Sequence, residues 1–139
     1  MQLAKLGTRR PVCMGRESTV ETASRLMRAQ HVSEVVVVDD ARPERIPLGI
    51  VSARDIVTRV VALGLDPRVV TVGDLMWAPA EAARLTDTVP QTLDRLCVSG
   101  IESLPVVDSA GRITGVVSLD DLLQALAGVG SLRGNRLHR

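Results

Sequence analysis

The sequence predicts an α/β fold of two pseudo-symmetric βαββα repeats packed sheet to sheet, and three observations carry that prediction. The chain matches itself: shifted by 69 positions, Thr19-Val20 falls on Thr88-Val89 and Val37-Val38-Asp39 on Val106-Val107-Asp108. Shifted by 66, Gly49, Val51, Ser52 and Asp55 fall on Gly115, Val117, Ser118 and Asp121. Each copy alternates helix-spaced stretches with short β-branched runs such as Val35 to Val38. Finally, 139 residues that are 45% hydrophobic suffice for one domain or two small repeats, whereas a copy of about 60 residues buries too little surface alone.

The elements follow in order. A short leading strand is expected near Val12. Ser18 precedes Val20, Ala23 and Met27 on one face, with Glu21 at capping-box spacing, which predicts a helix over 19–30. Val35 to Val38, ended by Asp39-Asp40, is too short for a helix and reads as a strand buried on both faces. Leu48 to Val51 reads as the next strand, and the residues gained in this copy, Arg42-Pro43-Glu44, fall in the turn between them, where an insertion costs little. Ala53 to Leu63 restores helical spacing, with Gly64 as C-cap. The second copy repeats the series: a leading strand near Ala82, then a helix capped by Asp87 with Val89, Leu93 and Leu96 inward. A strand from Leu104 to Val107, a turn at Asp108-Ser109-Ala110-Gly111, a strand from Ile113 to Val117 and a helix to about Ala127 complete it. Met27, Leu96 and Cys97 are expected in the core, and His31 as a capping or surface group at a helix end. The expected division is therefore 1–69, 70–127 and a basic, mobile tail over 128–139.

Composition removes whole classes of function. The core must be built from 21 Val, 17 Leu, 13 Ala and 5 Ile, because there is one Trp and no Tyr or Phe. That leaves no aromatic platforms for single-stranded nucleic acid. A net charge of +1 lacks the basic excess of a phosphate-backbone binder, so nucleic acid is not an expected partner. Residues 1–69 carry the surplus of positive charge, so an anion should favour the first half. Cys13 and Cys97 form neither a disulfide framework nor a zinc motif, in keeping with a reducing cytoplasm. No membrane span or signal peptide is read, and local spacing assembles no Ser/His/Asp group, acid pair or metal cluster, so no enzyme is expected.

The chemistry concentrates where each copy passes from strand to helix, in Gly49-Ile50-Val51-Ser52-Ala53-Arg54-Asp55 and Gly115-Val116-Val117-Ser118-Leu119-Asp120-Asp121. A helix N-terminus favours an anion through its amides and dipole, a Ser hydroxyl adds a bond to a phosphate oxygen, and an Asp can accept both hydroxyls of a ribose. Phosphate plus diol points to a nucleotide. The same Ser-x-x-Asp spacing is also a satisfied N-cap that needs no ligand. Arg54, where the second copy has Asp120, is a candidate phosphate partner.

With these segments, the strand that ends in Asp39, the stretch Gly100-Ile101-Glu102-Ser103-Leu104-Pro105-Val106-Val107-Asp108 and the opening Val72-Gly73-Asp74-Leu75-Met76, the chain resembles a tandem pair of CBS domains, a Bateman module, over about residues 5 to 127. The resemblance implies two clefts between the repeats, frequent dimerisation, and ligands that are mostly adenine nucleotides: AMP, ADP, ATP (with Mg²⁺) or S-adenosylmethionine, none of them an obligatory cofactor. It implies one cleft with Ser118 and Asp121 for phosphate and ribose and an adenine wall of Thr8, Val12, Val32, Ser33 and Glu34. The other would take Ser52, Arg54 and Asp55, with a wall of Ala82, Ile101, Glu102 and Ser103. Trp77, aligned with Thr8 of the other copy, either stacks on a base or fills its cleft. Two functions are thereby in view: a stand-alone regulatory module that signals an adenine nucleotide to an unidentified partner or through a homodimer, or a structural, dimerising protein without a small-molecule ligand.

Overall fold

The computed structural model describes residues 1–39, 41, 45–77 and 82–128. The first half runs α1 (Leu3–Leu6), β1 (Cys13–Gly15), α2 (Val20–Gln30), β2 (Glu34–Val38), β3 (Pro47–Ser52) and α3 (Ala53–Ile56), which continues as a π-helical turn over Val57–Val61. The second half runs α4 (Val72–Leu75), β4 (Ala83–Arg84), α5 (Val89–Ser99), β5 (Ser103–Val107), β6 (Ile113–Ser118) and α6 (Leu119–Leu126). The predicted α/β architecture is present as two three-stranded sheets, ordered β1-β2-β3 and β4-β5-β6. In each, the leading strand runs parallel to the middle one and the last runs antiparallel. The registers correspond: Glu34 lies opposite Ser52, and Ser103 opposite Ser118.

The valine run explains the layering. Side chains alternate across a strand, so Val35 and Val37 enter the core beneath α2, with Met14, Val20, Ala23, Met27, Val51 and Ile56. Val36 and Val38 face the other way and meet Ile50 and Val116 in the layer between the sheets. Both faces of the run are therefore buried, each valine side chain contributing on the order of 1.5–3 kcal/mol. The second sheet sends Leu104, Val106 and Val117 into its own core with Val89, Leu96 and Leu122.

The short opening segments of the two copies are exchanged. Leu3 of α1 is fully buried in the second half's core, where the Leu3 and Ala4 amides donate to the carbonyls of Asp87 and Leu85. Reciprocally, Val72 and Leu75 of α4 lie in the first half's core, and the Val20 and Val72 amides donate to Val70 and Ser18. Bridges of Gln2 with Thr88 and of Thr19 with Thr71 mark the two crossings. The line between residues 69 and 70 is thus a boundary of sequence, while each packed half borrows its neighbour's opening turn. Of the expected tail over 128–139 only Gly128 is described, and the Arg42-Pro43-Glu44 insertion lies outside the described residues.

Several local expectations are corrected. The cap of α2 is Thr19, whose side chain accepts from the Thr22 amide, not Ser18; Ser18 instead uses its carbonyl to receive Val72. The cap of α5 is Thr88, which forms a capping box with Gln91. Asp87 turns back to accept from the Arg84 amide. Cys97, expected inward, is exposed, because the buried face of α5 is Val89, Thr92 and Leu96 and the next residue lies 100° further round. His31 does take the helix-ending position, at φ 55°, where the equivalent residue of α5 is Gly100 at φ 71°.

Candidate functional site

Two close approaches place the site. A Cβ on Gly49 would lie 2.7 Å from the Trp77 carbonyl oxygen, so only glycine lets the segment after α4 lie along β3, where the Trp77 amide donates to Ile50 at 3.1 Å. In the other half Gly115 lies against Thr8, and Arg9 and Val116 exchange hydrogen bonds at 3.1 and 3.0 Å. Ile50 and Val116 are equivalent under the repeat, so Trp77 corresponds to Arg9, one residue from the alignment with Thr8 read from the sequence.

Both Ser-x-x-Asp segments form N-caps. Ser52 and Asp55 make a full capping box, as do Ser118 and Asp121. Asp55 is buried and accepts three hydrogen bonds, each 2.9 Å: the Ser52 amide and hydroxyl on Oδ2, and the Trp77 indole N–H on Oδ1. A carboxylate offers about four acceptor positions, and the three bonds leave one on Oδ1. Of the first-turn amides of α3, Ala53 donates to Ser33 and Asp55 to Ser52 Oγ.

The first cleft has a volume of about 300 Å³. One wall is Ser52, Arg54, Asp55, Thr58 and Arg59 from the end of β3 and the following helix; the opposite wall is Gly100, Ile101, Glu102 and Ser103, with Ile50 and Trp77 also lining the space. Arg59 lies over the indole, its guanidinium carbon 5.2 Å from the ring centroid, and donates to the Leu75 carbonyl at 2.9 Å. Arg54 reaches across to Glu102 at 3.6 Å, with both side chains exposed.

The second cleft, about 310 Å³, is lined by Arg9, Ser33, Glu34, Glu102, Ser118, Leu119, Asp120 and Asp121. Arg9 is tied to two of these carboxylates: it donates to Glu34 Oε1 at 3.0 Å and its Nε lies 3.6 Å from Asp121 Oδ2, an ion pair to a carboxylate only 2% exposed. Each Asp of the repeated Ser-x-x-Asp spacing is therefore engaged by the same pseudo-equivalent position, Trp77 for Asp55 and Arg9 for Asp121. The electrostatics differ sharply. Two cations balance two carboxylates in the first cleft, whereas one cation faces four carboxylates in the second.

The structure thus brings Ser52, Arg54, Asp55, Ile101, Glu102 and Ser103 together in the first cleft and Ser33, Glu34, Ser118 and Asp121 in the second. Four named residues lie elsewhere. Thr8 packs on Gly115, Val12 and Val32 pack against the first core, and the Ala82 carbonyl accepts from Arg95. Sequence reasoning missed Arg9, Thr58 and Arg59. The helical spacing of Arg59 one turn beyond Asp55 was the available signal for the last; Arg9 gave none, because its partners lie far away in sequence. Among the described residues no group of three or more His, Cys, Asp or Glu could hold a metal, and no helix is long and apolar enough to cross a membrane.

Two sheet-helix repeats meeting at paired strand-to-helix clefts define a tandem α/β repeat module. The CBS domain model matches residues 3–62 and 72–128, and the chain belongs to the CBS-domain family. It is 34% identical over 108 residues to the uncharacterized protein MK0525 of Methanopyrus kandleri, covering 78% of this chain and 53% of that protein, so the chain spans about half that relative's length. Among solved structures it superimposes on CBS domain protein PAE2072 from Pyrobaculum aerophilum, complexed with AMP, with a TM-score of 0.81 and 25% identity over 92% of this chain and 99% of that one. The hexameric CBS-CP12 protein of bloom-forming cyanobacteria matches with a TM-score of 0.79 and 28% identity, covering 88% of this chain and 69% of that chain.

Proposed function

We propose that this chain is a regulatory module that binds an adenine mononucleotide in its first cleft and performs no chemistry on it. The observation that carries the reading is the contrast between the clefts. The first offers Arg54, Arg59 and one unused acceptor position on Asp55 around about 300 Å³ of space, at the small end for a ligand site. In the second, the one cation, Arg9, is paired to Glu34 and Asp121, and the excess of carboxylates repels phosphate. The AMP complex of PAE2072 supports an adenine nucleotide as the ligand class.

In this reading the phosphate is held near Ser52 and Arg54, and a ribose hydroxyl by Asp55, while Ile101 to Ser103 of the second repeat close the cleft. A ligand that touches both repeats favours one relative placement of them, and shifts that balance only by its differential affinity for the two placements. The readout is a homodimer, for which the hexameric CBS-CP12 protein offers a precedent of assembly, or a regulated protein in the cytoplasm. ATP would bring Mg²⁺ with it.

Thermal unfolding against AMP, ADP, ATP with and without Mg²⁺, S-adenosylmethionine and NAD, with GTP as control, tests the reading. At 100 times its Kd a ligand adds about 2.7 kcal/mol, a shift of several degrees. AMP is expected to raise the transition and GTP to leave it in place. No shift from any adenine compound at millimolar concentration would favour the structural alternative, in which both capping boxes are only caps.

A further inference from the structure

The only aromatic residue of the chain stands in the wall of the first cleft, and its setting is more specific than packing requires. The Trp77 backbone is pinned to β3 through Ile50, and its indole N–H is pinned to Asp55 at 2.9 Å, so position and tilt of the ring are both fixed. The Arg59 guanidinium, itself held by the Leu75 carbonyl, lies over the ring. Yet Trp77 is 51% exposed, and the cleft keeps its volume with the indole in place. A side chain that plugged the cleft would be buried and would leave no room. This one lines the space and leaves much of its surface uncovered.

We infer that Trp77 is the base-stacking residue of the first cleft: a pre-oriented indole, backed by Arg59, that stacks a nucleobase and makes the site prefer a nucleoside monophosphate over the bare sugar phosphate. The inference rests on the nucleotide reading above and adds the residue that discriminates. Fixing the ring beforehand removes the ordering cost that a free aromatic side chain would bring to binding, and stacking tolerates any flat base while giving nothing to a ligand without one. The second cleft has Arg9 at the corresponding position and offers no aromatic face.

Calorimetric titration of the wild type, Trp77→Leu and Trp77→Phe with AMP and with ribose 5-phosphate tests this, joined by fluorescence, since residue 77 is the sole Trp and there is no Tyr. The expected results are that Trp77→Leu weakens AMP about tenfold, equivalent to ~1.4 kcal/mol, and erases most of the preference over ribose 5-phosphate. Trp77→Phe, which keeps a flat ring and loses the N–H, should retain most of the preference. AMP should quench wild-type fluorescence and ribose 5-phosphate should not, a readout that decides the matter even where a variant fails to fold. Unchanged AMP affinity in Trp77→Leu overturns the inference and leaves the nucleotide reading standing. Tighter binding of both ligands would make the indole a plug, and equal weakening of both would make it a support for Asp55; either overturns it. Failure of AMP to bind the wild type at all overturns both.

Discussion

Replacing Asp55 with Ala removes three hydrogen bonds at once, and their geometry sets the size of the loss. The Ser52 amide and hydroxyl and the Trp77 indole all donate to this one carboxylate at 2.9 Å. Ser52 still caps the residue-55 amide, but leaving the part-buried Ser52 amide without its acceptor costs about 1 kcal/mol, and the lost bond from the Ser52 hydroxyl about 1 kcal/mol more. The half-exposed indole finds water and adds little. An unfolding entropy of about 2.1 cal/mol/K per residue over this length is ~0.29 kcal/mol/K, so ~2 kcal/mol lowers Tm by about 7 °C. Asp74→Ala is the internal control, because Thr71 and Asp74 form the same box on the surface with a longer 3.4 Å bond; its loss should stay below ~1 kcal/mol, under about 3 °C. Scanning calorimetry without ligand reads both. Equal losses in the two variants, or Asp55→Ala within about 2 °C of wild type, would refute the structural role assigned to this carboxylate. The result also bears on function: Asp55→Ala cannot test ligand binding at wild-type stability, whereas Arg54→Ala, on an exposed side chain, can.

Three further outcomes are expected. Gly49→Ala places a Cβ 2.7 Å from the Trp77 carbonyl oxygen and the Met76 sulfur, so it should destabilise by about 1–3 kcal/mol in urea unfolding and change the Trp77 emission. Iodoacetamide followed by peptide mass spectrometry should label exposed Cys97 well before Cys13, whose thiol is pushed up by burial against a smaller opposing effect of Arg45. The backbone amide of Arg112, joined by that of Ala110, holds the Asp108 carboxyl below its ordinary 3.8. A depressed folded value contributes stability above the unfolded value and loses it as pH falls through the folded one, so Asp108→Asn should flatten the acid limb of the stability profile below pH 3.8. An unchanged limb in that variant would show that other carboxylates set it.

The repeat was legible because a duplication leaves identical residues at fixed spacing, and the sheet-to-sheet packing because a four-valine run is apolar on both sides of a strand. Ser52 and Asp55 could be placed at a helix start because the change from strand to helix spacing falls between them. Adjacent hydroxyls at Ser18 and Thr19 offered two caps one residue apart, and only the backbone geometry separates them. The exchange of α1 and α4 depends on long-range packing, such as that of Leu3 into the core that also holds Leu122, which no local pattern encodes. The pairing of Trp77 with Arg9 was hidden for a related reason: the stretches leading into the two copies differ in length, and the one-residue offset emerges only from the bridges to Ile50 and Val116. Arg9 itself reads as one of several N-terminal basic residues until the fold sets it between Glu34 and Asp121.

The most direct test of the central claim is a count of AMP sites by calorimetric titration of the wild type, Arg54→Ala and Ser118→Ala. If the first cleft is the nucleotide site and the carboxylates of the second repel phosphate, the wild type binds one AMP per chain, Arg54→Ala weakens it severalfold, and Ser118→Ala leaves both count and affinity unchanged. Two sites per chain, or a site lost with Ser118 and indifferent to Arg54, would contradict the assignment.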